Sequence, residues 1–394
     1  MKPIFNSITQ RINIDFRKDI FSNSEILTEN IYNYSILIVG GAGTIGSNYI
    51  KQILKFKPSK IIVVDINENG LTELTRDLRS SNLLDYNPEY ITYPVNLLSK
   101  TFDKIFNSDT WQVVANFSAH KHVRSEKDKI SVEALIKNNV YGAIKLLKLC
   151  ESNPSKYFFS VSTDKAANPV NIMGASKSLM EKLILSRKNK LRVSTARFAN
   201  VAFSNGSLLD GFIYRLNKKQ PLSCPSDIKR FFVTPEQSGQ ICLLATFLGD
   251  TGNIFFPKLD FHKDQIYFKE IALDFLIENG FKPELVKSEK EAKEFDFDKN
   301  PSRYPIYFFK TDTSGEKTYE EFYTENEDYE INKYDSLGSI NAPNIKISFD
   351  EVKSDFERVF NNSISNKLDI IKVIKKYVQD FKHIETGKHL DQKM

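Results

Sequence analysis

The chain has few of the residues that build disulfides and metal sites. Its 394 residues include five histidines and three cysteines, which are Cys150, Cys224 and Cys242. The cysteines have no paired spacing, so we expect free thiols in a reducing compartment rather than a disulfide framework. His120 and His122 could face one side of an extended segment, but no third ligand accompanies them, and we expect no metal.

Long apolar runs and a dominant charge are also lacking. No stretch approaches the roughly 18 apolar residues of a membrane-spanning helix. The first 30 residues carry acids and bases throughout, without the apolar centre of a signal peptide. The net charge is +5, but lysines and acids are interspersed, which indicates a solvated surface. We therefore expect a cytoplasmic protein that binds neither membrane nor nucleic acid.

Apolar strand runs alternate with helical patterns between residues 35 and 200. The runs are SILIVG, KIIVVD, YITYPV, WQVVANFSA, KYFFSVS and LRVSTARFAN. A long helical pattern at 131–152 separates the fourth run from the fifth. Continuous apolar strands separated by helices are typical of a parallel sheet covered on both faces. The sequence therefore predicts an α/β fold with a doubly wound parallel sheet.

A glycine-rich turn joins the first strand run to the next helix. Gly40, Gly43 and Gly46 recur every third residue in VGGAGTIG. Glycines there permit a tight turn and the close approach of a pyrophosphate. Thr44 and Ile45 then begin a helix, whose first amides and positive dipole end favour a phosphate. The turn predicts a dinucleotide-binding domain of the Rossmann type.

An acidic residue, Asp65, ends the second strand run. A carboxylate at this place can accept hydrogen bonds from both ribose hydroxyls of an adenosine. Ile66 and Asn67 follow it, and no Arg or Lys is adjacent. A 2′-phosphate would be repelled there, which favours NAD over NADP. FAD is a further alternative, which the downstream residues disfavour.

The regular alternation fades beyond residue 200. The following stretch mixes loops, short strands and helices, as expected of a smaller, mixed α/β substrate-binding lobe, and helical spacing returns at 349–381. We therefore divide the chain into an N-terminal extension at 1–34, the NAD-binding domain at 35–200, the lobe at 201–345 and a C-terminal helical segment at 346–394.

Two strand runs end in concentrated polar groups. The fourth ends in SAHKHV, and the fifth in STDKA, which places Thr163, Asp164 and Lys165 side by side. Ligands of open parallel sheets bind beyond the carboxyl ends of the strands, so we expect these groups in the binding crevice. MGASK then opens a helix on which Met173 and Lys177 share a face at i and i+4.

The segment STDKAANPVNIMGASK resembles the extended short-chain dehydrogenase/reductase family. Within that family it closely resembles the nucleotide-sugar 4,6-dehydratases of polysaccharide and legionaminic acid biosynthesis. The superfamily carries Tyr-x-x-x-Lys on this helix; here Lys177 is the lysine and Met173 stands at the tyrosine position. One branch of the dehydratases is similar, with methionine there and reliance on Thr-Asp-Lys. Further similar segments extend the resemblance over about 35–394, among them RFANVAFSNGSLLDGF, DIKRFFVTPEQSGQICLLA, YPIYFFKTDTSGEKTYEEF and FKHIETGKHLDQKM.

The resemblance implies NAD as cofactor and a UDP- or GDP-linked N-acetylglucosamine as substrate. Hydride would leave C4 for the cofactor, water would be eliminated across C5–C6, and the hydride would return to C6. Lys165 would be the base at C5 if the site lowers its pKa, and Asp164 would be the acid at the C6 hydroxyl if the site raises its pKa. Thr163 would hydrogen-bond the C4 oxygen, and Lys177 would hold the nicotinamide ribose. The lack of a tyrosine acid on the far face predicts retention at C5.

Other contacts carry over from the resemblance by position. Cofactor contacts are Asn96, Ala119 and Lys121, with Asn96 standing where the family often has Asp. Substrate contacts are Met173, Asn200, Ser207, Arg230 and Lys258. Arg230 is assigned to the diphosphate because a guanidinium matches that group's geometry. Relatives assemble into dimers or larger forms, so we expect a homo-oligomer.

Two alternatives remain open at this point. A nucleotide-sugar epimerase shares the fold and the cofactor but normally keeps the tyrosine, so Met173 counts against it. A non-catalytic NAD-binding sensor would keep the glycine turn and lose the catalytic groups. The chain instead keeps Thr163, Asp164, Lys165 and Lys177 together.

Overall fold

The computed structural model describes residues 14–384 except 313, 314, 316 and 318, together with all side chains in that range apart from those at 124 and 125. The beginning of the predicted N-terminal extension (1–13) and the end of the predicted C-terminal segment (385–394) lie outside the described residues. Within the described part, no helix is both long enough and apolar enough to cross a membrane.

The strands are numbered in chain order. They are β1 (Ser35–Val39), β2 (Lys60–Asp65), β3 (Glu89–Pro94), β4 (Val113–Asn116), β5 (Tyr157–Val161), β6 (Val193–Ala196), β7 (Asn200–Val201), β8 (Leu222–Pro225), β9 (Lys229–Val233), β10 (Asn253–Pro257), β11 (Gln265–Tyr267), β12 (Lys282–Val286), β13 (Arg303–Phe309), β14 (Tyr329–Glu330) and β15 (Leu337–Asn341).

The α-helices are numbered in the same way. They are α1 (Phe16–Ser22), α2 (Ser24–Glu29), α3 (Thr44–Leu54), α4 (Glu68–Ser80), α5 (Lys100–Phe106), α6 (Lys129–Ile136), α7 (Gly142–Ser152), α8 (Ile172–Leu185), α9 (Leu208–Asn217), α10 (Pro235–Phe247), α11 (Phe268–Glu278), α12 (Glu289–Lys293), α13 (Phe349–Phe360) and α14 (Lys367–Tyr377).

A nine-stranded sheet organises the molecule. Its strand order is β14-β15-β10-β6-β5-β4-β1-β2-β3, and the neighbours from β10 to β3 run parallel. Strands β14 and β15 add an antiparallel edge. The order reverses direction between β1 and β4, where ligands of open α/β sheets bind. The predicted doubly wound parallel sheet of the Rossmann type is confirmed.

The strand register brings the polar strand ends to one edge of this sheet. Val39 pairs with Val64 on one side and with Asn116 on the other, so β1, β2 and β4 end level with one another. Val161 of β5 pairs with Ala196 of β6. The strand interiors are fully buried, as expected for apolar strands covered by helices on both faces. Residues that follow these strands are therefore neighbours in space.

Two three-stranded sheets lie in the region predicted as the lobe. One has the order β11-β9-β7 and the other β12-β13-β8. A separate apolar cluster supports them, with Phe212, Phe232 and Phe275 among its members. Strands β10, β14 and β15 also come after residue 200 but belong to the main sheet. The division of the chain at 200 and 345 stays a prediction, and these three strands cross it.

The long helix predicted at 131–152 is interrupted. Helix α6 and helix α7 are joined by a π-helical turn at Lys137–Tyr141, which contains the buried Asn139. Single π turns of this kind are frequent at functional sites. The helical spacing at 349–381 likewise belongs to two helices, α13 and α14, because Asn366 begins the second with a capping box.

Candidate functional site

The glycine turn has the close backbone packing that its spacing predicts. Gly40 has φ +78°, and a Cβ there would lie 2.4 Å from the Ser118 amide nitrogen after β4. A Cβ on Gly46 would lie 2.5 Å from the Gly40 carbonyl oxygen. Gly43, by contrast, leaves room for a methyl group and is the N-cap residue of α3. Gly40 and Gly46 are therefore needed for packing, whereas the packing would tolerate a methyl group at Gly43.

Asp65 is oriented by two backbone amides. Its Oδ2 accepts a hydrogen bond from Ala42 N at 3.0 Å, and its Oδ1 accepts one from Asn67 N at 2.9 Å. The side chain of Asn67 in turn caps α4 through Gly70 N at 3.0 Å. The carboxylate is thus held at the end of β2 beside the glycine turn. Each of its oxygens keeps a lone pair for a ribose hydroxyl.

A loop of the predicted lobe crosses the glycine turn. Asn205 N donates to Thr44 Oγ1 at 3.0 Å, and Lys121 Nζ donates to Asn205 O at 2.8 Å. A Cβ on Gly206 would lie 3.2 Å from His122 Nε2. The start of α3, the segment after β4 and this loop are therefore in contact with one another. The predicted cofactor contacts Thr44 and Lys121 both take part in these hydrogen bonds.

Thr163, Asp164 and Lys165 form a compact cluster after β5. Asp164 N donates to Phe198 O at 3.1 Å, which fixes the segment beside the end of β6. Thr163 Oγ1 donates to Asp164 Oδ1 at 2.8 Å, and Lys165 Nζ donates to the same oxygen at 3.0 Å. The Asp164 side chain is 2% exposed, and its Oδ2 has no hydrogen-bond partner among the described residues.

Two residues of the predicted lobe complete this cluster. Glu320 Oε1 lies 3.6 Å from Lys165 Nζ and 3.7 Å from Arg230 Nη2. Arg230 comes from β9, and its guanidinium also donates to Lys317 O at 2.9 Å and to Lys229 O at 2.8 Å. Arg230 is predicted to contact the substrate, and its guanidinium already contacts Glu320 and two backbone carbonyls.

The electrostatics of the cluster differ from the expectation for Lys165. Burial by itself lowers the pKa of Lys165, but the carboxylates of Asp164 and Glu320 outweigh burial and hold that pKa above its ordinary value. The condition attached to Lys165 as a base, a lowered pKa, is therefore not met. Burial raises the pKa of the Glu320 carboxyl, against the pull of Lys165 and Arg230.

Lys177 and Met173 lie on α8 next to this cluster and are both 3% exposed. Lys177 Nζ donates to Val161 O at the end of β5, at 3.1 Å. Burial lowers the pKa of Lys177 to about 8, although nearby Glu181 opposes this. Met173 packs in the apolar cluster between the sheet and the helices. The structure thus brings the lysine to the strand end and buries the methionine beside it.

A carboxylate that the sequence did not reveal caps α8. Glu126 accepts hydrogen bonds from Met173 N at 2.7 Å and from Ile172 N at 2.9 Å. Asn171 Oδ1 accepts a further one from Gly174 N at 2.7 Å. Gly174 itself allows contact with the cluster, since a Cβ there would lie 2.5 Å from Lys165 O. These contacts set the position of the helix that carries Lys177.

Asn139 in the π turn is a second residue that we missed. Its Oδ1 accepts from His120 N at 2.9 Å, and its Nδ2 donates to His120 O and to Ser176 Oγ, both at 3.0 Å. The side chain therefore ties the segment after β4 to α8. The signal in the sequence was a pair of asparagines inside a buried helical run.

Other predicted site residues have structural contacts of their own. Lys258 Nζ donates to Ile331 O at 2.8 Å and to Tyr334 O at 2.6 Å. Ser207 caps α9 by accepting from Asp210 N at 3.1 Å. Asn96 is exposed and accepts from Leu98 N, and Asn200 lies in β7. These contacts account for Lys258 and Ser207 without a ligand, so their assignment to the substrate gains no support.

The sequence is similar to those of several known proteins. It is 31% identical over 234 residues to a UDP-N-acetylglucosamine 4,6-dehydratase (inverting) of Campylobacter jejuni, covering 57% of this chain and 67% of that protein. It is 29% identical to an uncharacterised membrane protein of Methanocaldococcus jannaschii, covering 77% and 84%. A UDP-glucose 4-epimerase of Rickettsia bellii is 28% identical, covering 57% and 66%.

Solved structures share the fold. Pen from Bacillus thuringiensis superposes with a TM-score of 0.65 at 21% identity, covering 88% of this chain and 98% of that one. DesIV of Streptomyces venezuelae, a dTDP-glucose 4,6-dehydratase solved with NAD bound, has a TM-score of 0.54 at 17% identity, covering 73% and 87%. At 21% and 17% sequence identity, these two comparisons show a shared fold and nothing further.

The profile of the polysaccharide biosynthesis protein family matches residues 36–342, which is most of the chain. Together with the dehydratase relatives, this match confirms the resemblance to extended short-chain dehydrogenase/reductases that act on nucleotide sugars. The chain belongs to the polysaccharide biosynthesis protein family.

Proposed function

We propose that the protein is a nucleotide-sugar 4,6-dehydratase. The observation that carries the proposal is the buried cluster of Thr163, Asp164 and Lys165 at the carboxyl end of β5, beside Lys177 and with methionine at position 173. Loss of water next to a ketone needs both a proton acceptor and a proton donor. The cluster contains one carboxylate and one ammonium group within hydrogen-bond distance of each other, which suits that task.

The residues of the crevice suit a nicotinamide dinucleotide. Asp65 would accept from the adenosine ribose, the start of α3 would face the pyrophosphate, and Lys177 would hold the second ribose. The acidic strand end, which has no adjacent Arg or Lys in the sequence, favours NAD over NADP. When bound, NAD would take a hydride from C4 of the sugar and return it to C6.

The roles of Asp164 and Lys165 are best exchanged relative to our expectation from the sequence. Lys165 stays charged between two carboxylates, so it is the better proton donor for the departing C6 hydroxyl. The buried Oδ2 of Asp164 has no hydrogen-bond partner among the described residues, so it can accept the C5 proton. Thr163 Oγ1, which donates to Asp164 Oδ1, would accept a hydrogen bond from the C4 hydroxyl. The proton of that hydroxyl would leave to solvent, so that Asp164 stays ionised for the C5 proton.

The proton count closes over one turnover. The C4 hydroxyl releases one proton, and the departing hydroxyl consumes one as it leaves as water. The C5 proton moves to Asp164 and is returned to C5 after hydride reaches C6. Since Met173 offers no acid on the opposite face, the proton returns to the face it left. We therefore propose retention of configuration at C5.

The test is incubation of the purified protein with UDP- and GDP-N-acetylglucosamine in parallel, followed by mass spectrometry of the products. We expect a product lighter by one water and carrying a 4-ketone. NMR of the trapped product reports the configuration at C5, and an inverted sugar would rule out retention.

Other products would identify the alternatives. An isomer of unchanged mass would indicate an epimerase, as the relative from Rickettsia bellii suggests. NAD binding without any turnover of either sugar would indicate a non-catalytic sensor. The Campylobacter jejuni relative is named as an inverting dehydratase. The configuration at C5 of the product therefore also distinguishes the proposed reaction from that of this relative.

A further inference from the structure

One buried carboxylate at the site has no role in the reaction proposed above. The Glu320 side chain is 3% exposed and follows β13 of the predicted lobe. Its Oε1 is near two cations, and its Oε2 is buried without a hydrogen-bond partner among the residues that the structure describes. Burying a carboxylate is costly unless it is compensated by charges and hydrogen bonds. The position of this costly carboxylate beside Lys165 therefore points to a role for its charge.

The charges around Lys165 come from two separate parts of the chain. Asp164 Oδ1 lies 3.0 Å from Lys165 Nζ and belongs to the segment after β5. Glu320 Oε1 lies 3.6 Å from the same nitrogen and comes from the lobe. Besides Lys165, the cations Arg230 and Lys317 act on Glu320, and Arg230 also repels Lys165. Without Glu320, the ammonium would face one carboxylate and one repelling guanidinium.

We propose that Glu320 is a positioning residue of the active site, which holds the Lys165 ammonium charged and directed between two carboxylates. This inference rests on the proposed dehydratase function and adds to it a residue from outside the Thr-Asp-Lys segment. Lys165 then donates the proton with which the C6 hydroxyl leaves as water, and it is reprotonated before the next turnover from solvent, which has received the proton released by the C4 hydroxyl.

The replacement Glu320→Gln tests the proposal by removing the charge and keeping the shape. Loss of a facing carboxylate disfavours the charged lysine, so Lys165 should lose its proton at a pH lower by about one unit or more. If Lys165 donates a proton, the alkaline limb of the pH profile for the rate of water loss moves to lower pH by the same amount. If Lys165 were the base, the acidic limb would move instead, and the rate at low pH would rise.

A direct titration separates this inference from the proposed function. NMR of lysine side chains in the protein without substrate, with the Lys165 signal assigned from its loss in Lys165→Arg, reports the protonation of Lys165 whether or not the sugar turns over. An unchanged titration in folded Glu320→Gln would overturn the role of Glu320. A shifted titration in a protein that never dehydrates either sugar supports this role and overturns the proposed function alone.

Glu321 provides a matched control. It is the adjacent carboxylate, and its Oε2 accepts from Asn168 Nδ2 at 2.8 Å. Glu321→Gln should leave the Lys165 titration and the pH profile unchanged. If Glu320→Gln does not fold, Glu320→Asp keeps the charge with a shorter side chain. Glu320→Asp should then move the pH at which Lys165 loses its proton by less than about half a pH unit, while slowing water loss several-fold. A wild-type rate with this variant would contradict the proposal.

Discussion

Two buried lysines of the site behave oppositely, and the difference lies in their immediate neighbours. Lys165 faces Asp164 and Glu320, which hold its pKa above the ordinary value despite burial. Lys177 faces a carbonyl and a thioether sulfur, at 3.1 and 3.6 Å, and burial lowers its pKa to about 8. Residue type alone does not decide protonation; the charges within a few ångströms do.

Replacing Asp164 with asparagine should stop water loss while leaving hydride transfer from C4 possible. An amide cannot accept the C5 proton, so the rate of dehydration should fall at least about a hundredfold. Single-turnover absorbance would then show reduced cofactor persisting without loss of water in mass spectra. Unchanged NAD affinity serves as the control for folding, and normal turnover would contradict the assignment of Asp164 as the base.

Replacing Lys177 with methionine should stabilise the free protein but weaken NAD binding. In the wild type, the folded state releases the Lys177 proton near pH 8, whereas the unfolded chain keeps it to about its ordinary value of 10.5. The unfolded state therefore binds more protons between these values, and wild-type stability should rise with pH across that window. Denaturant unfolding should give the variant an advantage of up to about 3 kcal/mol below pH 8, which declines between pH 8 and about 10.5 and disappears above that.

At the scale of elements, the first turn of α8 decides whether the two halves of the site meet. Glu126 and Asn171 satisfy the amides that begin the helix. Gly174 allows that turn to pack directly on the Lys165 carbonyl. Asn139 holds the same helix to the segment after β4 through Ser176. The helix that carries Lys177 is thereby located against both polar strand ends.

The replacement Gly174→Ala should separate these elements. The new methyl group would lie 2.5 Å from Lys165 O, and neither backbone can yield cheaply. We expect a loss of about 1–3 kcal/mol in the free energy of unfolding, together with loss of activity. Gly211→Ala in α9 is the control, because its methyl group meets only the end of the Arg215 side chain, and it should be neutral or stabilising. Equal stability of the two variants would contradict this packing argument.

At the scale of the whole molecule, a buried ion-pair network joins the main sheet to the segment that carries Glu320. Arg197, after β6, is 3% exposed and binds Glu181 of α8 at 2.9 Å and Glu327 at 2.8 Å. It also donates to Phe322 O at 2.9 Å. The segment from Glu320 to Glu327 is therefore held at one end by Lys165 and Arg230 and at the other by Arg197.

The replacement Arg197→Met should destabilise the protein by about 3–5 kcal/mol, because two carboxylates lose their shared partner. Urea unfolding measures this loss. Arg192→Met is the control. That arginine donates to the carbonyls of Phe247 and Gly249 and stacks on Tyr157, so its loss leaves no carboxylate of the network unpaired and should cost less. A similar cost for both variants would show that the network adds no special stability.

Much of the fold was predictable from local pattern. Apolar runs and glycine spacing depend on neighbours in sequence, so the parallel sheet, the glycine turn and the position of Asp65 followed from the sequence. Local pattern did not predict the π turn around Asn139 or the assignment of β10, β14 and β15 to the main sheet. Both depend on side chains and strands far along the chain.

The candidate site divides in the same way. The sequence by itself determined that Thr163, Asp164 and Lys165 follow a buried strand and that Lys177 and Met173 share a helix face, since each set lies within one local segment. Only the tertiary structure decided that Glu320 and Arg230 join them. The raised pKa of Lys165 follows from Asp164, its neighbour in sequence, and from the long-range contact with Glu320. Only the second needed the tertiary structure, because Coulomb interaction depends on distance in space and not on separation along the chain.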